Sequence, residues 1–262
     1  MRELLSRMHN WMAAYMKSFY SDDEQVQQGI LIKERHTGCV TANCVELAKF
    51  LHLSTHDTEL AEIIGLFHDV GRFRQYSIYK TFNDADSEDH ADLGIKVIDE
   101  LNFFRELAAP DYALVQFAIQ NHNKKVIAPT EDVRKLLFAK IIRDADKLDI
   151  YRVLEPFLAQ ENADKMPQFI KSTSRLVPDI SPDFVENFVT GEQADYRKIR
   201  TNGDRKIVRL MWIYDVNFSW TMRKIVERGY IDKIVGNLPM DERIAEGVRR
   251  LRAHVEKKLS ET

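Results

Sequence analysis

The chain has 262 residues, enough for one large domain or two small ones with a sizeable core. Its 44% hydrophobic and 30% charged content is ordinary for a soluble globular protein, and a net charge of -3 excludes a general polyanion-binding surface while leaving room for a local basic pocket. The expected setting is the cytoplasm: Cys39 and Cys44, the only cysteines, lie five apart on one predicted helix, the N-terminal twenty residues lack an uninterrupted apolar region, and no run approaches the roughly 20 apolar residues of a membrane span.

The pattern reads as all-α almost throughout. "SDDE" at 21–24 has the Ser-x-x-Glu form of a capping box and predicts a helix towards Leu51. "STHD" at 54–57 begins the next, ending near Gly71. "SEDH" at 87–90 starts a third, to about Phe104. Pro110 and Asp111 precede a fourth, and Pro129-Thr130 caps a fifth that runs to Pro156. The segment 161–203, with Pro167, Pro178 and Pro182, is the most irregular and reads as connecting or lid-like structure. "TNGD" at 201–204 fits a hairpin turn, although the following "RKIVRLMWIYDV" reads equally well as a helix. The aromatic stretch "MWIYDVNFSW" at 211–220 suits either core or a base-stacking pocket. The last helix carries Ile244, Val248, Leu251, Val255 and Leu259 as one stripe.

Several of these helices turn a polar group towards the core. His36 shares a face with Val40, Leu47 and Leu51. His68 and Asp69 follow Ile64 and Gly65. His90 lies with Leu93, Val97 and Leu101, and His122 follows Val115, Ala118 and Ile119. Asp146 shares a face with Phe138, Ile142, Ile150 and Val153. One buried histidine is ordinarily a satisfied core residue. Buried carboxylates are rarer and need partners, and inward His and Asp on successive helices are a common way to build a metal site. Four nitrogens and two carboxylates suit Mn, Fe, Co, Ni or Zn, with Mg less natural.

The ordered set His36, then His68-Asp69 in "FHDVGRF", then Asp146 in "ADKL", resembles the HD superfamily of metal-dependent phosphohydrolases. The resemblance covers about residues 30–155 and implies an all-helical HD bundle. The whole chain, 1–262, then reads as a single HD domain with a C-terminal helical extension over 156–262. It implies His36, His68, Asp69 and Asp146 as ligands of a divalent metal. Asp146 fits the family's Ala-Asp-basic-Leu pattern, and Asp144 and Asp149 are expected to support the ligands or to be solvated. "HADLG" at 90–94 and "NHNK" at 121–124 resemble elements of the HD-GYP phosphodiesterases, without their Pro and Glu. They suggest His90 and His122 as ligands of a second ion bridged by Asp69. Otherwise these histidines contact substrate around one ion.

The implied reaction is hydrolysis of a phosphate ester of a nucleotide or similar small molecule by a metal-activated water. Asp69 bridges metals or assists proton removal, and Arg72 is the first candidate for a phosphate contact, followed by Arg74, Lys124 and Lys147. The expected partner is a small phosphorylated compound, with no nucleic-acid polymer and no membrane, and oligomerisation is left open. Two other readings stand beside it. Some proteins of this fold are mixed-valence di-iron oxygenases with four His and two Asp, and others are non-catalytic nucleotide-binding regulators.

Overall fold

The computed structural model describes residues 1–157, 179–192 and 194–261. The described residues are predominantly helical and contain no β-strand. They divide into two compact units, Met1–Ile150 and Tyr151–Thr262. No described helix is long and apolar enough to cross a membrane.

The first unit holds α1 (Arg2–Lys17), α2 (Glu24–Phe50), α3 (Thr55–Phe67), α4 (Val70–Tyr79), α5 (His90–Asp99) and α6 (Ala109–Asn121), together with most of α7 (Val133–Leu154). α2 packs along α3, α4 along α5, and α6 against both α3 and α5. Phe67, Phe73 and Phe104 are fully buried, and Trp11 of α1 stacks on Phe67. α7 is tied to α2 where Asn43 Nδ2 donates to the Ala145 carbonyl at 3.1 Å. It is tied to α6 where Arg143 Nη1 donates to the Asn121 carbonyl at 3.2 Å.

Several helix boundaries differ from the sequence reading. α6 begins at Ala109 and so includes Pro110 and Asp111, and α7 begins at Val133, where Asp132 rather than Thr130 accepts from the Arg134 and Lys135 amides. α2 is capped by Asp23, not Ser21: Asp23 Oδ1 accepts from the amides of Gln25 and Val26 at 2.9 and 3.1 Å. A carboxylate at that position also answers the positive end of the helix. α3 ends at Phe67 rather than near Gly71, and α5 ends at Asp99, with a separate 3-10 turn over Asn102–Glu106. Gly71 therefore stops no helix. It sits in the first turn of α4, where a Cβ would lie 2.2 Å from the His90 carbonyl oxygen and 2.5 Å from the Gly94 amide nitrogen. Glycine is there so that the α4 and α5 backbones can touch.

The second unit contains the end of α7 and α8 (Pro182–Thr190), α9 (Asn202–Met211), α10 (Ser219–Glu227), α11 (Tyr230–Val235) and α12 (Glu242–Leu259). The hairpin reading of "TNGD" is overturned. Thr201 Oγ1 accepts from the Asp204 amide at 3.0 Å and Asp204 Oδ2 from the Thr201 amide at 3.1 Å, a reciprocal cap that opens α9. Asp204 also takes the backbone amide and hydroxyl of Ser181 at 2.7 and 2.9 Å. Within 161–203, Pro182 begins α8, while Pro167 and Pro178 lie outside the described residues, as does most of the lid-like reading. The aromatic stretch at 211–220 contributes to the core here: Met211, Ile213, Val216 and Trp220 are buried. Of the predicted stripe on α12, Ile244, Val248, Leu251 and Val255 are buried and Leu259 is half-buried, and α12 packs on α8 and α10.

Candidate metal centre

All six candidate ligands read from the sequence meet inside the first unit. The break between α3 and α4 is what presents two of them. His68 closes α3, and its Nδ1 donates to the Gly65 carbonyl at 2.8 Å. Asp69, with φ -105° and ψ 14°, turns the chain into α4. Gly65 lets α3 come close enough: a Cβ there would lie 2.8 Å from the Thr41 Cα of α2. His36 projects from α2, Asp146 from α7, His90 from the first residue of α5 and His122 from the C-terminus of α6.

Asp69 is the hub and is 3% exposed. Its Oδ2 lies 3.5 Å from His36 Nε2 and 3.6 Å from His68 Nε2. Its Oδ1 lies 3.4 Å from His90 Nε2 and 3.7 Å from His122 Nε2. The two carboxylate oxygens thus serve two different pairs of imidazoles. Asp146 joins the first pair only, with Oδ1 at 3.0 Å from His36 Nε2 and 3.9 Å from His68 Nε2. Among the described residues, His36, His68 and Asp69 form one group fit for a cation, and Asp69, His90 and His122 another.

The outward nitrogens fix the chemistry of the inward ones. His122 Nδ1 donates to the Ile119 carbonyl at 2.6 Å, as His68 does to Gly65. A carbonyl only accepts, so both rings carry that proton on Nδ1 and turn Nε2 inward. His36 Nδ1 faces Asp149 Oδ2 at 2.6 Å and His90 Nδ1 faces Asp84 Oδ2 at 2.7 Å, which selects the same tautomer. In neutral rings of this tautomer, the Nε2 atoms of His36 and His68, 3.4 Å apart, and of His90 and His122, 2.9 Å apart, oppose lone pair to lone pair. Such contacts need a positive charge between them. The donor set fits divalent cations by chemistry and by convergence.

The titrations follow the same logic. Burial pushes the His68 and His90 imidazoles down to about 4, with Arg72 adding to the effect at His90. His36 moves the other way: burial and Lys33 press it down, but the carboxylates of Asp146 and Asp149 outweigh them. Burial would raise the Asp69 carboxyl, yet Lys33, His68, His122 and Arg72 hold it well below the usual carboxylate range.

The four candidate cations fall in different places. Arg72 Nη1 donates to Gln75 Oε1 at 2.9 Å, to the Phe82 carbonyl and to Asp84 Oδ1 at 2.8 Å. Its Nε, 3.6 Å from Asp69 Oδ1, has no hydrogen-bond partner. Arg72 thus links the ligand Asp69 to Asp84, the carboxylate behind His90. Arg74 makes a two-toothed ion pair with Glu100 at 2.9 and 3.2 Å. Lys124 Nζ pairs with Asp89 at 2.6 Å. Lys147 is half-buried on α7, beside Asp146.

Three contributors escaped the sequence reading. Lys33 Nζ lies 2.6 Å from Asp69 Oδ2 and is 20% exposed. It stands one turn before His36, so following that face towards the N-terminus would have found it. Asp84, in the loop before α5, carries no periodic signal. Asn123 Nδ2 bridges Asp84 and Asp89, at 3.3 and 3.1 Å. Asp144 and Asp149 are both buried, which removes the solvated reading of either.

Residues 34–151 match the family model of the HD domain. That stretch is an HD domain. Its match spans α2 to α7 and so encloses every candidate ligand described above. Searches among curated proteins and among solved structures return no match. An HD domain implies the metal-dependent hydrolase superfamily, and the His and Asp groups described above could hold a metal.

Proposed function

We propose that the chain is a metal-dependent phosphohydrolase that cleaves a phosphate ester of a nucleotide or similar small molecule. The observation that carries this reading is the division of Asp69, with one oxygen towards His36 and His68 and the other towards His90 and His122. Divalent ions held there would activate water and neutralise phosphoryl oxygens. The chain's own groups do the rest. Asp149, Asp84 and the Gly65 and Ile119 carbonyls lock the four imidazoles with Nε2 inward. Lys33, partly exposed beside Asp69, supplies a cation to a bound phosphoryl group. Arg72 fixes Asp84 and leaves its Nε facing Asp69. Arg74, Lys124 and Lys147 complete the proposed phosphate-binding set, and the ligand is small rather than polymeric.

The test is a panel of phosphomonoesters and phosphodiesters assayed with Mn, Co, Ni and Mg, with Asp69→Ala as the control. Turnover that vanishes in Asp69→Ala supports the reading. No turnover with any of these metals sinks it.

A second reading is a mixed-valence di-iron oxygenase, favoured by the four-His, two-Asp complement around one bridging carboxylate. Iron analysis and electron paramagnetic resonance of the purified protein separate the two. A coupled mixed-valence iron signal together with a phosphoryl panel that shows no turnover would replace the hydrolase.

A further inference from the structure

Among the described residues of the second unit, one buried guanidinium leaves a donor without an acceptor. Arg209 on α9 is 5% exposed, and its Nη1 is a buried donor without a hydrogen-bond partner. Other cations of this unit find acceptors. Lys206 Nζ donates to the Asn237 carbonyl at 2.7 Å, and Arg250 Nη1 to the Val189 carbonyl at 2.8 Å. Around Arg209 the described charged and titratable neighbours are Arg205, one turn earlier on the same face, and Tyr151. The Tyr151 hydroxyl donates to the Arg209 carbonyl at 2.6 Å. Burial, and then the like charge of Arg205, bring the Arg209 guanidinium down to about 10, so it is still charged at neutral pH.

A charge removed from water without an acceptor is strongly unfavourable, and natural interiors rarely retain one unless something pairs with it. The planar donor fork of arginine matches two oxygens of one anion. We propose that Arg209 is the receptor for a small oxyanion, the phosphate or carboxylate group of a small molecule. This does not rest on the hydrolase reading.

The experiment uses the full chain stripped with EDTA, so that metal in the HD domain cannot hold the anion. Thermal melts and calorimetric titrations are run with inorganic phosphate and with acetate at constant ionic strength. The wild type is expected to melt higher as phosphate rises, and Arg209→Met to show no such rise. Arg209→Lys keeps the charge but loses the fork, and should bind more than about tenfold more weakly. An equal response to acetate identifies a carboxylate ligand as the source, and a response to phosphate alone identifies a phosphate. The proposal is overturned if neither anion moves the wild type, or if Arg209→Met responds as the wild type does. Should Arg209→Met not fold, an undiminished phosphate affinity in Arg209→Lys overturns it.

Discussion

Gly71→Ala tests whether the contact between α4 and α5 sets the spacing of the metal centre. The new Cβ would lie 2.2 Å from the His90 carbonyl oxygen, where an ordinary C···O contact is about 3.3 Å. The start of α5 must therefore retreat by about 1 Å. His90 is the first residue of α5, so its ring moves with the carbonyl. Metal ligands tolerate departures of only about 0.2 Å, so the ion shared by His90 and His122 should be lost, while His36, His68 and Asp146 keep theirs. The overpacking itself should cost about 1–3 kcal/mol. Elemental analysis after metal loading gives ions per chain, and a thermal melt gives the stability. Gly94→Ala is the control, because its Cβ would meet Val70 Cγ1 at an ordinary 3.4 Å. A folded Gly71→Ala with full metal content and an unchanged melting temperature would refute the reasoning.

Asp149→Asn keeps the shape behind His36 but removes the charge that holds its Nδ1 proton, and should weaken metal binding by about 10- to 100-fold in a chelator competition titration. Asp204→Ala leaves the Ser181 hydroxyl and the amides of Ser181, Arg200 and Thr201 without their acceptor, and should lower stability to denaturant by about 3 kcal/mol. Burial raises the Cys44 thiol and shields it, whereas Cys39 is only half-buried. Native protein should release colour from one thiol with an aromatic disulfide reagent, and from two only after denaturation.

The ligands were legible because each sits on a helix whose apolar period shows which way it faces. His36, His90 and Asp146 are of this kind, and the His68-Asp69 pair is marked by the HD-family pattern. What supports them was less legible. Asp84 lies in a loop, where no period betrays direction, and its importance appears only when the fold brings it to His90 Nδ1. Lys33 was within reach of the same helical reasoning, one turn before His36. Gly71 was misread because a glycine after a helix signals a stop as readily as a close approach; only the position of α5 decides between them. "TNGD" failed similarly, since its turn-forming composition is equally that of a helix cap, and the reciprocal bonds of Thr201 and Asp204 are what chose.

The two imidazole pairs around Asp69 are built alike but not charged alike. Each has one ring held by a carboxylate and one held by the carbonyl three residues before it. Yet Asp146 stands on the side of His36 and His68 alone, while Asp84 on the other side is already shared with Arg72. Setting Lys33 and Arg72 against these carboxylates still leaves the excess negative charge with His36 and His68. The first cation equivalent should therefore enter there, and the second should follow only at higher free metal. A reaction that needs both ions would then rise with metal supply past a threshold, and the chain would answer to metal availability as well as to substrate.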